Sequence, residues 1–141
     1  MEYFSKNHPS IILKKGRLNN KKHKYAFNGE YFDLSKRSKV IVSCNPNDWI
    51  GNFRLFEAFS GNTLLFVDYM PTLKYIFINK KHIIYYSRYQ EQEEKLLFYL
   101  KNNNERVEIA NNAYTLALNK QTYNRVANFI LQEINKENNI L

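Results

Sequence analysis

Residues 40–68, VIVSCNPNDWIGNFRLFEAFSGNTLLFVD, constrain the fold of this chain more than any other stretch. Val40 to Cys44 is a short apolar run rich in β-branched residues, which predicts a buried strand. Asn45 to Asn52 is dense in turn formers, with Asn45, Pro46, Asn47, Asp48 and Gly51. Phe53 to Ser60 then carries Phe53, Phe56 and Phe59 on one helical face, and Gly61-Asn62 stops that helix as glycine does just past a helix end. Leu64 to Val67 reads as a second buried strand with Asp68 at its carboxyl end. Strand, crossover helix and strand within about 30 residues make a βαβ unit, and the crossover forces the two strands to run parallel. Open parallel sheets bind ligands outside the carboxyl ends of their strands. The loop 45–52, Arg54, Glu57 and Asp68 are therefore where chemistry is expected.

The rest of the chain continues the alternation. Ser10 to Leu13 is a short strand candidate, and Lys14 to Lys24 is a polar connection broken by Gly16 and Asn19-Asn20. Tyr25 to Phe27 reads as strand or turn, and Gly29 to Ser38 as a short helix leading into the Val40 strand. After Asp68, Met70-Pro71-Thr72 is expected to open a helix with Leu73, Ile76 and Phe77 on its apolar face, Pro71 being suited to a first turn. Lys80-Lys81-His82 then turns into a strand over Ile83 to Tyr86. Three helices follow. Glu91 to Lys101 is predicted with Leu96, Leu97 and Leu100 inward. Asn104 caps a second helix through about Leu118, with Val107, Ala110, Tyr114 and Ala117 inward. Thr122 begins a third, with Val126, Ile130 and Ile134 in a stripe. The expectation is an α/β chain with a small parallel sheet of about four strands, ending in three helices.

A chain of 141 residues has the length of one domain, and 44% hydrophobic with 16% aromatic residues is enough for a real core. A single domain over residues 1–141 is expected, with residues 1–34 as a basic N-terminal segment. The one cysteine, Cys44, excludes an internal disulfide and a cysteine-rich metal site, and fits a reducing compartment. His8, His23 and His82 lack metal-ligand spacing, so no metal is expected. No apolar run approaches the ~18 residues that suggest a membrane span. The first ten residues, MEYFSKNHPS, lack the apolar stretch of a signal peptide. A cytoplasmic protein is expected, with room for peripheral attachment to a membrane.

Charge is distributed unevenly. Residues 1–44 hold 10 Lys/Arg against 3 Asp/Glu, whereas residues 45–141 hold 11 against 10. Lys14, Lys15, Arg17, Lys21, Lys22 and Lys24 lie close together, near Tyr25, Phe27, Tyr31 and Phe32. Such a segment suits phosphate contacts and base stacking, an anionic lipid surface, a nucleotide phosphate, or plain solvation. No recognised nucleic-acid motif accompanies it, which weighs against nucleic acid as the partner.

From about Ser35 to Ile134 the chain resembles the carboxyl-terminal part of group 1 glycosyltransferases, close to their CgeB-like branch. The residues that carry the resemblance are Lys36-Arg37-Ser38-Lys39, then Arg54-Leu55-Phe56-Glu57-Ala58-Phe59, Ser60-Gly61-Asn62 and Leu65-Phe66-Val67-Asp68. Pro71, Leu73, Glu105-Arg106, Ile109-Ala110-Asn111-Asn112-Ala113 and Thr122-Tyr123-Asn124-Arg125 follow in order. The resemblance implies a Rossmann-like three-layer domain, the donor-binding half of a two-Rossmann-domain (GT-B) enzyme of hexosyltransferase type. It implies a nucleotide diphosphate-sugar as substrate, no separate cofactor, and an acceptor of unknown class, whether glycan, lipid or protein.

The resemblance also implies roles. Glu57 would accept hydrogen bonds from the two ribose hydroxyls, as a carboxylate can. Arg54, one turn earlier on the same side of the helix, would meet the diphosphate, helped by the amides at the helix start. Gly51 and Asn52 would let the backbone approach the sugar or phosphate, and Asn45 and Asp48 belong to the same loop. Many relatives place a further glutamate in an E-P-x-G loop. The matching position here holds Trp49, so Asp48-Trp49-Ile50-Gly51 is expected to be that loop with one residue inserted. No residue is assigned as catalytic. The chain is expected to lack the amino-terminal acceptor domain, and so to work with a partner chain or as a homo-oligomer. Each residue also has a plainer reading: Glu57 and Arg54 as surface charges, Asp68 as a cap of the Met70-Pro71 turn, Cys44 and Tyr85-Tyr86 as core. The alternative for the whole chain is a non-catalytic module binding nucleotide, polyanion or a partner protein.

Overall fold

The structure, a computed structural model, describes residues 28–43, 53–120 and 122–138. The chain falls into two compact units, residues 1–34 and residues 35–141. The elements in order are helix α1 (Asn28–Arg37), strand β1 (Val40–Ser43), helix α2 (Phe53–Ser60) and strand β2 (Leu64–Asp68). A single 3-10 turn (Leu73–Tyr75), strand β3 (Ile84–Tyr86) and helices α3 (Tyr89–Lys101), α4 (Asn103–Lys120) and α5 (Tyr123–Asn138) complete it. This is an α/β Rossmann-like domain. Its described sheet has three parallel strands in the order β1-β2-β3, and it ends in three helices as expected. The fourth strand expected, at residues 10–13, lies outside the described residues.

The βαβ unit forms as the pattern predicts. Val40 pairs with Leu64 and Ser43 with Val67 in parallel register, and α2 is the crossover between them. The helix stop differs in one detail. Asn62, not Gly61, takes the left-handed conformation, with φ 52°. The Asn62 N–H donates to the Phe59 carbonyl at 2.9 Å and the Thr63 N–H to the Ala58 carbonyl at 3.0 Å. These two bonds are the paired capping bonds of a Schellman end, which asparagine tolerates next best after glycine. The Asn62 amide also donates to Asn111 Oδ1 of α4 at 2.7 Å, and Thr63 Oγ1 donates to the Ser35 carbonyl at 2.7 Å. The α2 end is thus fastened to α4 and to the last residues of α1.

Parallel strands are buried on both faces, so their side chains divide between two cores. On one face Leu65, Val67, Ile83 and Tyr85 pack with Leu55, Ala58 and Phe59 of α2, Ala113 of α4, and Met70, Leu73 and Phe77. Phe59 and Phe77 meet at 5.1 Å between ring centres. On the other face Phe66 is covered edge-on by Tyr99 of α3 at 5.9 Å. Fully buried side chains of this size contribute about 1.5–3 kcal/mol each.

Several predicted faces are rotated by one residue. In α2 the buried arc is Leu55, Ala58 and Phe59, while Phe56 is 41% exposed. Phe59 turns inward as expected, while Leu55 and Ala58 take the inward places beside it and Phe56 turns out. In α3 the buried set is Gln92, Leu96 and Tyr99, with Leu97 exposed. In α4 it is Arg106, Ile109, Ala110 and Ala113, with Val107 and Tyr114 outward. The helix expected after Pro71 is only one 3-10 turn, in which the Ile76 and Phe77 N–H groups both donate to the Leu73 carbonyl at 3.0 and 2.8 Å. Leu73 and Phe77 still enter the core, and Ile76 does not.

The outer edge of β3 is closed by groups that are not a strand. The Lys80 N–H donates to the Ile83 carbonyl at 2.8 Å. Asn79 Oδ1 accepts from the Tyr85 N–H at 3.0 Å, and Lys95 Nζ donates to the Tyr85 carbonyl at 2.7 Å. Satisfied edge groups give a further strand little to pair with.

Candidate functional site

Because α2 crosses back from the end of β1 to the start of β2, its first turn stands at the carboxyl edge of the sheet. Arg54 lies in that turn and is exposed; Glu57 follows one turn on and is half-buried. Residues three apart are neighbours on a helix surface. Both lie away from the Leu55–Ala58–Phe59 arc that seals the helix onto the sheet. Helix starts favour negative charge, yet α2 has no acidic residue in its first turn and carries Arg54 there instead. Asn45, Asp48, Gly51 and Asn52, the remaining residues singled out from sequence, lie outside the described residues, as do Trp49, Cys44 and the basic segment over Lys14–Lys24.

The strand ends complete the edge. Ser43, Asp68 and Tyr86 close β1, β2 and β3 respectively, with Asp68 opposite Tyr86 in register. The buried Tyr86 hydroxyl reaches past the middle strand and donates to the Ser43 carbonyl at 3.2 Å. The Tyr69 N–H donates to the Tyr86 carbonyl at 3.0 Å, carrying the ladder one residue past β2. Asp68 itself is half-buried. Tyr85-Tyr86 are core residues, as their pattern suggested, and Tyr86 adds a tie across the carboxyl edge that no local spacing shows. Burial, together with the neighbouring Tyr69, pushes the Tyr85 phenol up to about 12, and its hydroxyl donates to the Phe77 carbonyl at 3.2 Å.

At the start of α3 a second polar chain was also missed from sequence. The Ser87 N–H donates to Glu91 Oε2 at 2.8 Å, and Glu91 Oε1 pairs with Lys95 Nζ at 2.5 Å. The hydrogen bond from Lys95, then that from Ser87, holds the Glu91 carboxyl below its usual range. Since Lys95 also holds the Tyr85 carbonyl, this chain fixes α3 to the last strand. Its signal in the sequence is the Glu91/Lys95 spacing of four. Arg106 is similar: buried, it donates to the Tyr99 carbonyl at 3.0 Å and to Asn103 Oδ1, bracing the corner between α3 and α4.

His82 is buried and accepts the Ile78 N–H on Nδ1 at 3.1 Å; burial, then Lys81, lowers its pKa. Among the described residues no three His, Cys, Asp or Glu side chains are placed to hold a metal ion. Two open cavities lie elsewhere. One of about 430 Å³ is lined by Lys101 to Glu105 at the α3–α4 corner. Another of about 350 Å³ lies between Asn79, Lys80 and Ile84 at the start of β3 and Glu94, Lys95, Phe98 and Tyr99 of α3. Neither includes a residue of α2, and the second sits at the amino end of the sheet, opposite the edge where parallel sheets bind ligands. No helix among the described residues is long and apolar enough to cross a membrane.

A parallel βαβ unit with an anion-favouring crossover helix at its carboxyl edge is the binding frame of Rossmann-like proteins. Residues 6–132 match the model of a family described as glycosyl transferase-like. The chain belongs to that family. No curated protein and no solved structure gives a match. Its function is accordingly glycosyltransferase-like, a class that in general works with a nucleotide-sugar donor and an acceptor.

Proposed function

We propose that this chain binds the nucleotide diphosphate of a sugar donor at the carboxyl edge of its sheet, as the donor-binding half of a two-Rossmann-domain (GT-B) hexosyltransferase close to the CgeB-like branch. The observation that carries the reading is the pair Arg54 and Glu57 on the solvent side of α2, in a chain of the glycosyl transferase-like family. Glu57 accepts the two ribose hydroxyls, and Arg54 with the first amides of α2 meets the diphosphate. Asn45, Asp48, Gly51 and Asn52 are assigned to the same nucleotide-sugar site from the sequence resemblance alone. The leaving diphosphate is stabilised by fixed positive charge and helix amides, with no metal required. The acceptor enters from a second domain or a partner chain, which completes the reaction site.

Calorimetric titration with uridine and guanosine diphosphates tests this directly. Charged hydrogen bonds of this kind contribute about 1.5–3 kcal/mol, so Glu57→Ala is expected to weaken binding roughly 10- to 100-fold. Arg54→Ala should weaken diphosphates more than the free nucleoside. Equal binding by Glu57→Ala and the parent chain sinks the ribose assignment. Binding to neither nucleotide, with strongly salt-dependent binding to polyanions instead, favours a non-catalytic module acting through the basic N-terminal segment, which holds most of the excess charge.

A further inference from the structure

Just before β3 the chain makes a tight turn over Ile78 to Ile83, and a histidine ring holds that turn shut. His82 takes both backbone groups of Ile78. The Ile78 N–H donates to His82 Nδ1 at 3.1 Å, and the His82 N–H donates to the Ile78 carbonyl at 2.9 Å. Lys80, between them, is in the left-handed conformation with φ 60°, which is uncommon for residues other than glycine and asparagine. A conformation of that kind persists only while its surroundings hold it. The same turn closes the outer edge of β3, since the Lys80 N–H donates to the Ile83 carbonyl and Asn79 Oδ1 accepts from the Tyr85 N–H.

A neutral imidazole has one N–H and one bare nitrogen, and only the bare nitrogen accepts a hydrogen bond. The bond from Ile78 therefore exists only for the neutral ring with its proton on Nε2. A second proton has one place to go, Nδ1, where it meets the Ile78 N–H. An attractive contact then becomes one between two donors, and a cation is left in a site that is 8% exposed. Of the titratable side chains in the turn and the adjoining strand (Lys80, Lys81, Tyr85 and Tyr86), Lys81 is the one that acts on the ring, and it repels the cation. Among the described residues no carboxylate pairs with it. Burial, then Lys81, lowers the pKa of the ring from its ordinary 6.5. The opened turn thus takes up the proton more readily than the closed one. The closed turn keeps its full stability above 6.5 and loses it as pH falls from 6.5 towards the closed-state value.

We propose that the turn over Ile78 to Ile83 is a proton-operated clamp on the outer edge of β3: a proton taken up at His82 Nδ1 opens the turn and uncovers the Ile83 carbonyl and the Tyr85 N–H, while the rest of the sheet stays closed. The clamp stands at the start of β3, at the end of the sheet opposite the carboxyl edge, so it does not depend on the donor-site reading.

Amide hydrogen exchange of the full chain, followed by NMR at about pH 7.5 and about pH 5 and corrected for the intrinsic pH dependence of exchange, tests it. The open population is expected to rise by up to about tenfold for each pH unit below 6.5. The Ile78, Lys80 and Tyr85 amides should therefore lose roughly tenfold or more of their protection in acid, while Leu65 and Phe66 of the middle strand keep theirs. His82→Asn leaves an acceptor in the place of Nδ1 but takes up no proton, and should abolish the difference at those three amides. The ring nitrogen resonances of the parent give the same reading without a substitution: Nδ1 should gain its proton over the pH range in which the three amides lose protection. Equal protection at both pH values overturns the proposal, as does a loss shared by the middle strand. So does a folded His82→Asn chain that keeps the pH dependence, or an Nδ1 already protonated at about pH 7.5.

Discussion

Helix α2 buries Leu55, Ala58 and Phe59 almost completely, whereas α5, with twice the residues, leaves Val126, Phe129, Ile130 and Ile134 in water. Both carry apolar residues at helical spacing. The difference lies in what the chain does on either side of them. Strands β1 and β2 pair in register on both sides of α2, so the helix has no freedom to leave the sheet it crosses. Nothing among the described residues comparably anchors the far end of α5, and its apolar stripe is free to face a different molecule. A hydrophobic stripe thus states that a helix needs a partner, and connectivity decides whether the partner is in the same chain.

The comparison is most easily broken by truncating one aromatic residue on each helix. Phe59→Ala opens a hole between α2 and Phe77 and is expected to destabilise the fold by about 3–5 kcal/mol in denaturant unfolding. Phe129→Ala, measured on dilute protein, should stay within about 0.5 kcal/mol of the parent. Similar losses from both would mean that α5 is as much a part of the core as α2. A smaller effect probes the edge that α2 faces. Tyr86→Phe removes the bond to the Ser43 carbonyl and should cost about 1 kcal/mol. Unchanged stability there would mean that β1 is held at its carboxyl end by the strand ladder alone.

The smallest effect is a pH dependence in α3. The Glu91 carboxyl sits below its ordinary 4.5 in the folded chain, so its contribution is present above that pH and fades as pH falls through the folded value. An exposed pair spaced by four contributes about 0.3–0.5 kcal/mol. Glu91→Gln should therefore be less stable than the parent by that amount near neutrality and indistinguishable from it in acid. A difference that persists in acid would trace to the Ser87 contact or to packing, not to charge.

Much of the fold was legible because its signals are local. The β-branched run at Val40 and the stop at Gly61-Asn62 each act within a few residues, and both bound the βαβ unit. The place of Arg54 and Glu57 on one side of α2 followed from helical spacing alone. Less legible were contacts between distant residues. Tyr86 meets Ser43 across 43 positions, and Asn62 meets Asn111 across 49. Nothing in the spacing of either pair announces it, because each depends on strand register and on where α4 comes to rest.

The sequence by itself indicated the order of the described helices and strands, apart from the helix expected after Pro71, and that the first two strands run parallel. Only the tertiary structure decided which arc of each helix is inward. A period of 3.6 leaves several neighbouring arcs nearly equal in hydrophobicity, and only the shape of the facing surface selects among them. That is why Leu55 displaced Phe56 from the core and why Tyr99 was chosen over Leu97. It is also why α5, with a pattern as clear as that of α2, stands exposed: burial needs a second surface, and hydrophobic pattern alone does not provide one.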